Sequence, residues 1–241
     1  MDFKKIDNLK EKIMQRRPLD TDGMIKLRDK FCIEYTHDST AIEGNTLTLD
    51  ETALILQKGV TIGEKPIREH LEVIGHRDAF DYIMLYADKT TPLSESVIKN
   101  IHSLVLMDNP RYRGIWRDVP VRVGSHVAPQ PYLIAPMIEK LLADNTNSNK
   151  HIIEKTAEFH LRFETIHPFI DGNGRTGRLL LNFELIKQGF LPINIKYADR
   201  KRYYDCFNQY RETGDISAMT KLIADYEETR LNEYLKELSE I

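Results

Sequence analysis

The sequence has 241 residues and only two cysteines, Cys32 and Cys206. They form no CxxC pair and lie near no histidine-rich tract. Neither a disulfide scaffold nor a cysteine-based zinc site is supported, and a reducing compartment is the expectation. Long apolar runs are missing as well. The richest stretch, around Leu179–Leu181, is soon broken by Asn182 and Glu184, far short of the roughly 18 residues a membrane span needs. The opening segment, MDFKKIDNLKEKIMQRR, is charged throughout and has no apolar core, so no secretory signal is read and a cytoplasmic location is expected. Neither sign of charge dominates: Lys plus Arg is 34, Asp plus Glu is 37, and the net charge is -3. A protein that coats nucleic acid by general attraction is therefore disfavoured. No helix-turn-helix pattern or basic stripe is present, which disfavours a DNA-binding regulator. No low-complexity linker and no internal repeat divides the chain.

Hydrophobic residues make up 41% and charged residues 29%, the proportions of a globular chain long enough to bury a core without staples. Most of it reads as helix. Met24, Leu27, Phe31 and Tyr35 form one apolar stripe at helical spacing. Thr48-Leu49-Asp50-Glu51 has the form of a capping box, with Gly59 as the stop. A further helix is read from near Pro66, another from Pro92 through Val105, and another from Pro136 through Leu142. Asn145–Lys150 then reads as a polar loop. Ile152–Ile166, Leu179–Gln188 and Ile216–Leu238 read as helices too. Val119, Val121 and Val123 alternate with other residues ahead of Gly124-Ser125, which predicts a β-hairpin over 117–128. The hairpin's valines could equally cover a core, with Trp116 a buried anchor beside them. The fold class expected is mostly α, a helical bundle with one hairpin.

The chemistry concentrates in His167-Pro168-Phe169-Ile170-Asp171-Gly172-Asn173-Gly174-Arg175-Thr176-Gly177-Arg178. Pro168 stops the preceding helix. Gly172 and Gly174 allow positive φ or a close approach by a ligand. A helix starting near Gly174 turns its free N–H groups and positive dipole end toward the loop, an anion site. Arg175 and Arg178, three apart, add two guanidinium groups, and the set points to more than one phosphate. Asp171 suggests a hard cation such as Mg²⁺, and His167 a proton acceptor near neutral pH. The other histidines (His70, His76, His102, His126, His151 and His160) are read as structural or exposed, with His160 in the core or at its boundary.

This segment resembles the Fic-family motif HxFx[D/E]GNGRxxR at every specified position. The resemblance implies transfer of AMP from ATP, with Mg²⁺, to a Ser, Thr or Tyr hydroxyl of a protein. It makes His167 the general base and Phe169 the buried loop anchor. Asp171 becomes the metal ligand. Gly172, Asn173, Gly174, Arg175 and Arg178 become the phosphate grip, with Arg178 on the γ-phosphate. The hairpin resembles the family's target-docking flap, with Val123, Gly124 and Ser125 at its tip. Tyr203, Tyr204 and Asn208 resemble the segment that holds adenine, with core packing as the competing reading for the tyrosines.

Ser39-Thr40-Ala41-Ile42-Glu43-Gly44-Asn45 is similar to the family's inhibitory pattern [S/T]xxxE[G/N]. Ser39 and Glu43 are four apart, on one helical face. Glu43 paired with Arg178 would stand where a γ-phosphate belongs. The expected organisation is residues 1–65 as N-terminal helices with an inhibitory helix at about 36–44. A core follows over 66–215, carrying the flap at 117–128 and the loop at 167–178, and then a packed C-terminal helix over 216–241. The expected partners are ATP, a protein hydroxyl substrate, the chain itself as a target, and a second copy in a homodimer. Nucleic acid and membrane are not expected. Two other readings stay open at this level: removal of AMP from a modified target, with Glu43 positioning water, and a non-catalytic ATP-sensing regulatory protein.

Overall fold

A computed structural model describes residues 1–16, 22–88, 90–124 and 126–238. The described residues form ten α-helices and one two-stranded antiparallel hairpin. The helices are α1 (Lys4–Arg16), α2 (Asp22–Ile42), α3 (Leu49–Lys58), α4 (Ile67–Tyr86) and α5 (Glu95–Val105). The strands β1 (Arg122–Val123) and β2 (His126–Val127) follow. Then come α6 (Ile134–Asn147), α7 (Ile152–Ile166), α8 (Asn173–Lys187), α9 (Arg200–Thr213) and α10 (Ser217–Glu237). No described helix is long and apolar enough to cross a membrane.

Two apolar clusters share α7 and α8. One packs Ile6, Leu9 and Ile13 of α1 with Leu181 and Leu185 of α8 and with Met219, Leu222 and Ile223 of α10. The other packs Phe31 and Tyr35 of α2 with Phe80, Ile83, Ile98, Ile101, Phe163, Leu179 and Phe183. Leu179 through Leu185 are all buried, so α8 is enclosed on every side rather than amphipathic. The α7–loop–α8 hairpin is thus the centre of the bundle, and the glycine-rich loop is its largely buried end, with Asp171 exposed.

Local chemistry explains most boundaries. The capping box at the start of α3 is complete: the Thr48 hydroxyl accepts from Glu51 N–H, and Glu51 accepts from Thr48 N–H. Gly59 closes that helix with φ 65°. Three boundaries differ from the sequence reading. The helix expected at Pro92 begins at Glu95, because Ser94 is the cap and accepts from Val97 N–H. The helix expected at Pro136 begins at Ile134, fed by a short 3-10 turn at Pro131–Leu133, so Pro136 sits in a first turn that needs no N–H donor. That helix continues through the supposed loop to Asn147. Asn145 is buried and donates to Glu184 Oε2 at 3.0 Å, a long-range contact that holds the last turn.

The hairpin is shorter and more exposed than the alternation suggests. Two residues pair on each side, and Ala128 N–H adds one bond to Val121 C=O at 3.2 Å. Val119 and Val127 are exposed and Val121 and Val123 half-buried, so none of the four belongs to the core. Gly124 turns with φ 58°, while Ser125 lies outside the described residues. Trp116 is half-buried and packs on Phe169, 4.7 Å between ring centroids.

Candidate active site

His167 caps α7 with φ 49° and ψ 62°, a left-handed conformation. Among the described residues only Glu64 shares positive φ without being glycine. The strain is roughly 1–2 kcal/mol, and glycine usually fills this position. A histidine kept here points to function. The loop behind it is held from both sides. Phe169 is fully buried and stacks on His102 at 3.5 Å and 3°. Gly114 N–H donates to His102 Nδ1, so Nε2 carries the hydrogen and donates to the Asp171 carbonyl at 3.0 Å. Burial lowers the His102 pKa to about 4, which keeps that tautomer neutral. Buried Arg117 donates to the carbonyls of His167, Val119 and Pro129, tying the base of the hairpin to the loop. Nothing in the sequence singled out Arg117, and His102 was read only as structural or exposed. Both act through long-range backbone contacts that leave no local signal.

Asn173 is used differently from the phosphate contact the resemblance implies. Its carboxamide accepts from Phe169 N–H and donates to Phe169 C=O, both at 2.9 Å and buried. It is a staple that closes the loop. Asn173→Ala leaves both backbone groups unpaired, at about 1–3 kcal/mol for each buried group. Denaturant unfolding should show a loss in that range. A change under about 0.5 kcal/mol, the surface-substitution range, would contradict the staple.

Gly172 is the cap residue of α8 with φ 74° and offers no side-chain cap, so the first-turn amides of α8 face the loop without one. Glu43 lies against this end. A Cβ on Gly174 would collide with Glu43 Oε1. The same oxygen accepts from Arg178 Nη2 at 2.8 Å. Arg178 also donates from Nε to Ser39 Oγ at 3.0 Å and from Nη2 to Ser39 C=O at 2.7 Å. The four-residue spacing of Ser39 and Glu43 therefore delivers both to one guanidinium. Burial pulls the Arg178 pKa down, but Glu43 and the neighbouring tyrosines outweigh it, and the net shift is upward. Arg178 is fixed as a cation in a dry setting, with a carboxylate standing where an anionic ligand would go.

Arg175 is equally buried but turns toward α4, 3.6 Å from Glu72 and 3.7 Å from Asp171. Asp171 is half-exposed and accepts from Arg68 Nη2 at 3.0 Å. The His167 pKa falls to about 4, first through burial and then through Arg117. The ring is therefore neutral at pH 7 and able to accept a proton.

Of the three residues expected at adenine, Tyr203 follows the core-packing reading. Tyr203 is buried, its ring edge-on to Phe207 and its hydroxyl bonded to His160 at 2.7 Å and to Arg178 at 3.5 Å. It belongs to the core under Arg178. Tyr204 is exposed and its hydroxyl donates to Ile42 C=O at the end of α2, and Asn208 is exposed. A cavity of about 360 Å³ opens elsewhere, between α2, α9 and α10, and no motif residue lines it.

The structure is a helical domain whose buried loop anchor, uncapped helix terminus and two buried arginines lie together, with a histidine at the rim of the loop. Residues 92–185 match the Fic/DOC family model, and the chain is a Fic-domain protein. It is 32% identical over 244 residues to the protein adenylyltransferase Fic of Culex quinquefasciatus, covering 99% of this chain and 48% of that one. It is 34% identical over 236 residues to the protein of the same name in Nematostella vectensis, covering 96% and 55%. The chain thus spans about half the length of these curated relatives. In structure it is similar to a Fic-domain-containing signaling protein from Bacteroides thetaiotaomicron, with a TM-score of 0.89 at 25% identity over 98% of this chain and 97% of that one. It is also similar to Fic-1 of C. elegans, with a TM-score of 0.86 at 27% identity over 98% and 70%. The mostly α fold with one hairpin is that of these neighbours.

Proposed function

We propose that this protein transfers AMP from ATP to a hydroxyl side chain of a protein substrate, itself included, and that the end of α2 restrains the reaction. The observation that carries this reading is the placement of Glu43. Its carboxylate rests against Gly174 at the α8 terminus and on Arg178, the combination of donors that suits a phosphate. The names of the relatives, protein adenylyltransferase Fic, support the same chemistry.

In this reading Arg178 and the α8 amides hold the outer phosphates, and Arg175 assists from the α4 side. His167, neutral at pH 7, accepts the proton of the incoming hydroxyl. Its oxygen then bonds to the α-phosphorus, and pyrophosphate leaves with the bonding pair. The hairpin, tied to the loop by Arg117, offers its exposed edge around Val123 and Gly124 for a target segment. Mg²⁺ fits as a companion of ATP. Among the described residues no cluster of three or more metal-ligating side chains exists, and Asp171 offers one half-exposed carboxylate. That suits an ion taking its other ligands from phosphate and water. When bound it would neutralise charge on the phosphates.

The test compares ATP labelled at the α- and γ-phosphorus on the Glu43→Gly variant. Label on protein from the α-position alone is the expected result. Transfer of γ-label would replace adenylyl with phosphoryl transfer. ATP binding with no label from either would favour the sensing or AMP-removing readings.

A further inference from the structure

We propose that Glu164 is the positioning residue for His167: its carboxyl faces Nδ1 and fixes the ring with Nε2 as the proton acceptor. This rests on the transfer reading above. Glu164 lies on α7 one turn before His167, with Oε2 3.7 Å from Nδ1. Among the described residues His167 is its only ion-pair partner. Glu164 Oε1 and His167 Nδ1 are both buried and neither makes a hydrogen bond at this separation. A buried carboxyl without a cation is costly, so its retention calls for a purpose. Space for it is provided by α8. A Cβ at position 177 would collide with Glu164 Oε1 and meet His160 Cε1 at 2.9 Å. The family motif leaves position 177 unspecified, yet here only glycine admits the carboxyl.

Other ionisable groups face this pair. Glu164 is approached by Glu43, Arg178, Arg211 and Tyr203. His167 is approached by Arg117, Glu43 and His126, and by the backbone carbonyl of Glu164. Burial, then Glu43, raises the Glu164 pKa to about 8. With α2 in place the group is therefore a neutral carboxyl at pH 7. It accepts from Nδ1–H, which leaves Nε2 bare for the substrate proton. Ionised, it also stabilises the imidazolium formed as the hydroxyl proton arrives at Nε2. Because Glu43 contributes to the upward shift, removing Glu43 brings that ionisation to lower pH. The glutamate at the end of α2 thus acts on the base as well as on Arg178.

The test uses the full chain carrying Glu43→Gly, with Glu164→Gln and Glu164→Leu added separately. Gln keeps an acceptor and resembles the neutral carboxyl; Leu removes it. Expected are three results. Histidine ¹⁵N NMR without nucleotide shows hydrogen on Nδ1 of His167 in the parent and in Glu164→Gln, and a shifted tautomer in Glu164→Leu. Glu164→Leu lowers kcat about tenfold or more at unchanged KM for ATP, within the range of a mispositioned base. The parent gains rate with a midpoint below about pH 8, and Glu164→Gln lacks that gain. An unchanged tautomer in Glu164→Leu would overturn the proposal, since the backbone carbonyl would suffice. So would an identical pH profile in Glu164→Gln, and this variant decides the matter if Glu164→Leu does not fold. Absence of transfer in the parent would overturn the transferase reading alone, because the NMR result stands without turnover.

Discussion

Glu43→Gly is expected to raise AMP transfer about a hundredfold over the wild-type protein, the cost attached to a reacting atom misplaced by about 1 Å. The Glu43 carboxylate accepts from the Arg178 guanidinium and lies against Gly174 at the amide end of α8. A triphosphate entering the wild-type site must either expel that carboxylate or settle displaced from it. Displacement at the γ-end moves the α-phosphorus off the line of attack from the hydroxyl. Removing the side chain frees Arg178 from Glu43, uncovers the α8 terminus at Gly174, and leaves Arg178 anchored by Ser39 and Tyr203, so the fold persists. Initial rates of label incorporation read the effect. Equal rates for variant and wild type would contradict the restraint.

His167→Ala should reduce transfer by about a hundredfold to ten-thousandfold, the range for loss of a positioned general base. ATP affinity should stay within about threefold, under 1 kcal/mol, because the phosphate donors come from α8 and not from His167. The pH profile carries a second signature. Burial and Arg117 hold the His167 pKa near 4. Protonation, and loss of the base, therefore occurs only as the pH falls through that value. The acid limb of kcat/KM should lie below pH 5 and not near the ordinary histidine value of about 6.5. Glu43 raises this pKa, so its removal moves the limb further down. A limb near 6.5 would place the base elsewhere, and joint loss of ATP binding and transfer in His167→Ala would contradict its role.

Both residues stand out in the sequence because the patterns that carry them are local. Ser39 and Glu43 stand one helical turn apart, and Gly172 through Arg178 encode an uncapped helix start with two guanidinium groups. The complete capping box at Thr48 was legible for the same reason. What could not be read depends on contacts between distant segments. Tyr203 looks the same in sequence whether it is exposed beside a ligand or buried under Arg178, and its bond to His160 joins segments 43 residues apart. Asn173 looks like a ligand residue but closes its own loop. The Arg117 and His102 contacts join segments more than 45 residues apart. The continuation of α6 to Asn147 rests on Glu184 of α8. The α1 stripe of Ile6, Leu9 and Ile13 has only three apolar positions among charges, and α9 buries little beyond Tyr203, Cys206 and Phe207. Both helices are held by packing more than by their own pattern.

The most direct measurement of the central claim is label from α-labelled ATP on wild type, Glu43→Gly and Glu43→Gly/His167→Ala, with intact mass recorded in parallel. The account predicts protein heavier by one adenylyl group and strongly labelled in Glu43→Gly, faint label in wild type, and none in the double variant. Equal label in the single and double variants would contradict it, because the chemistry would then proceed without the base at the rim of the loop.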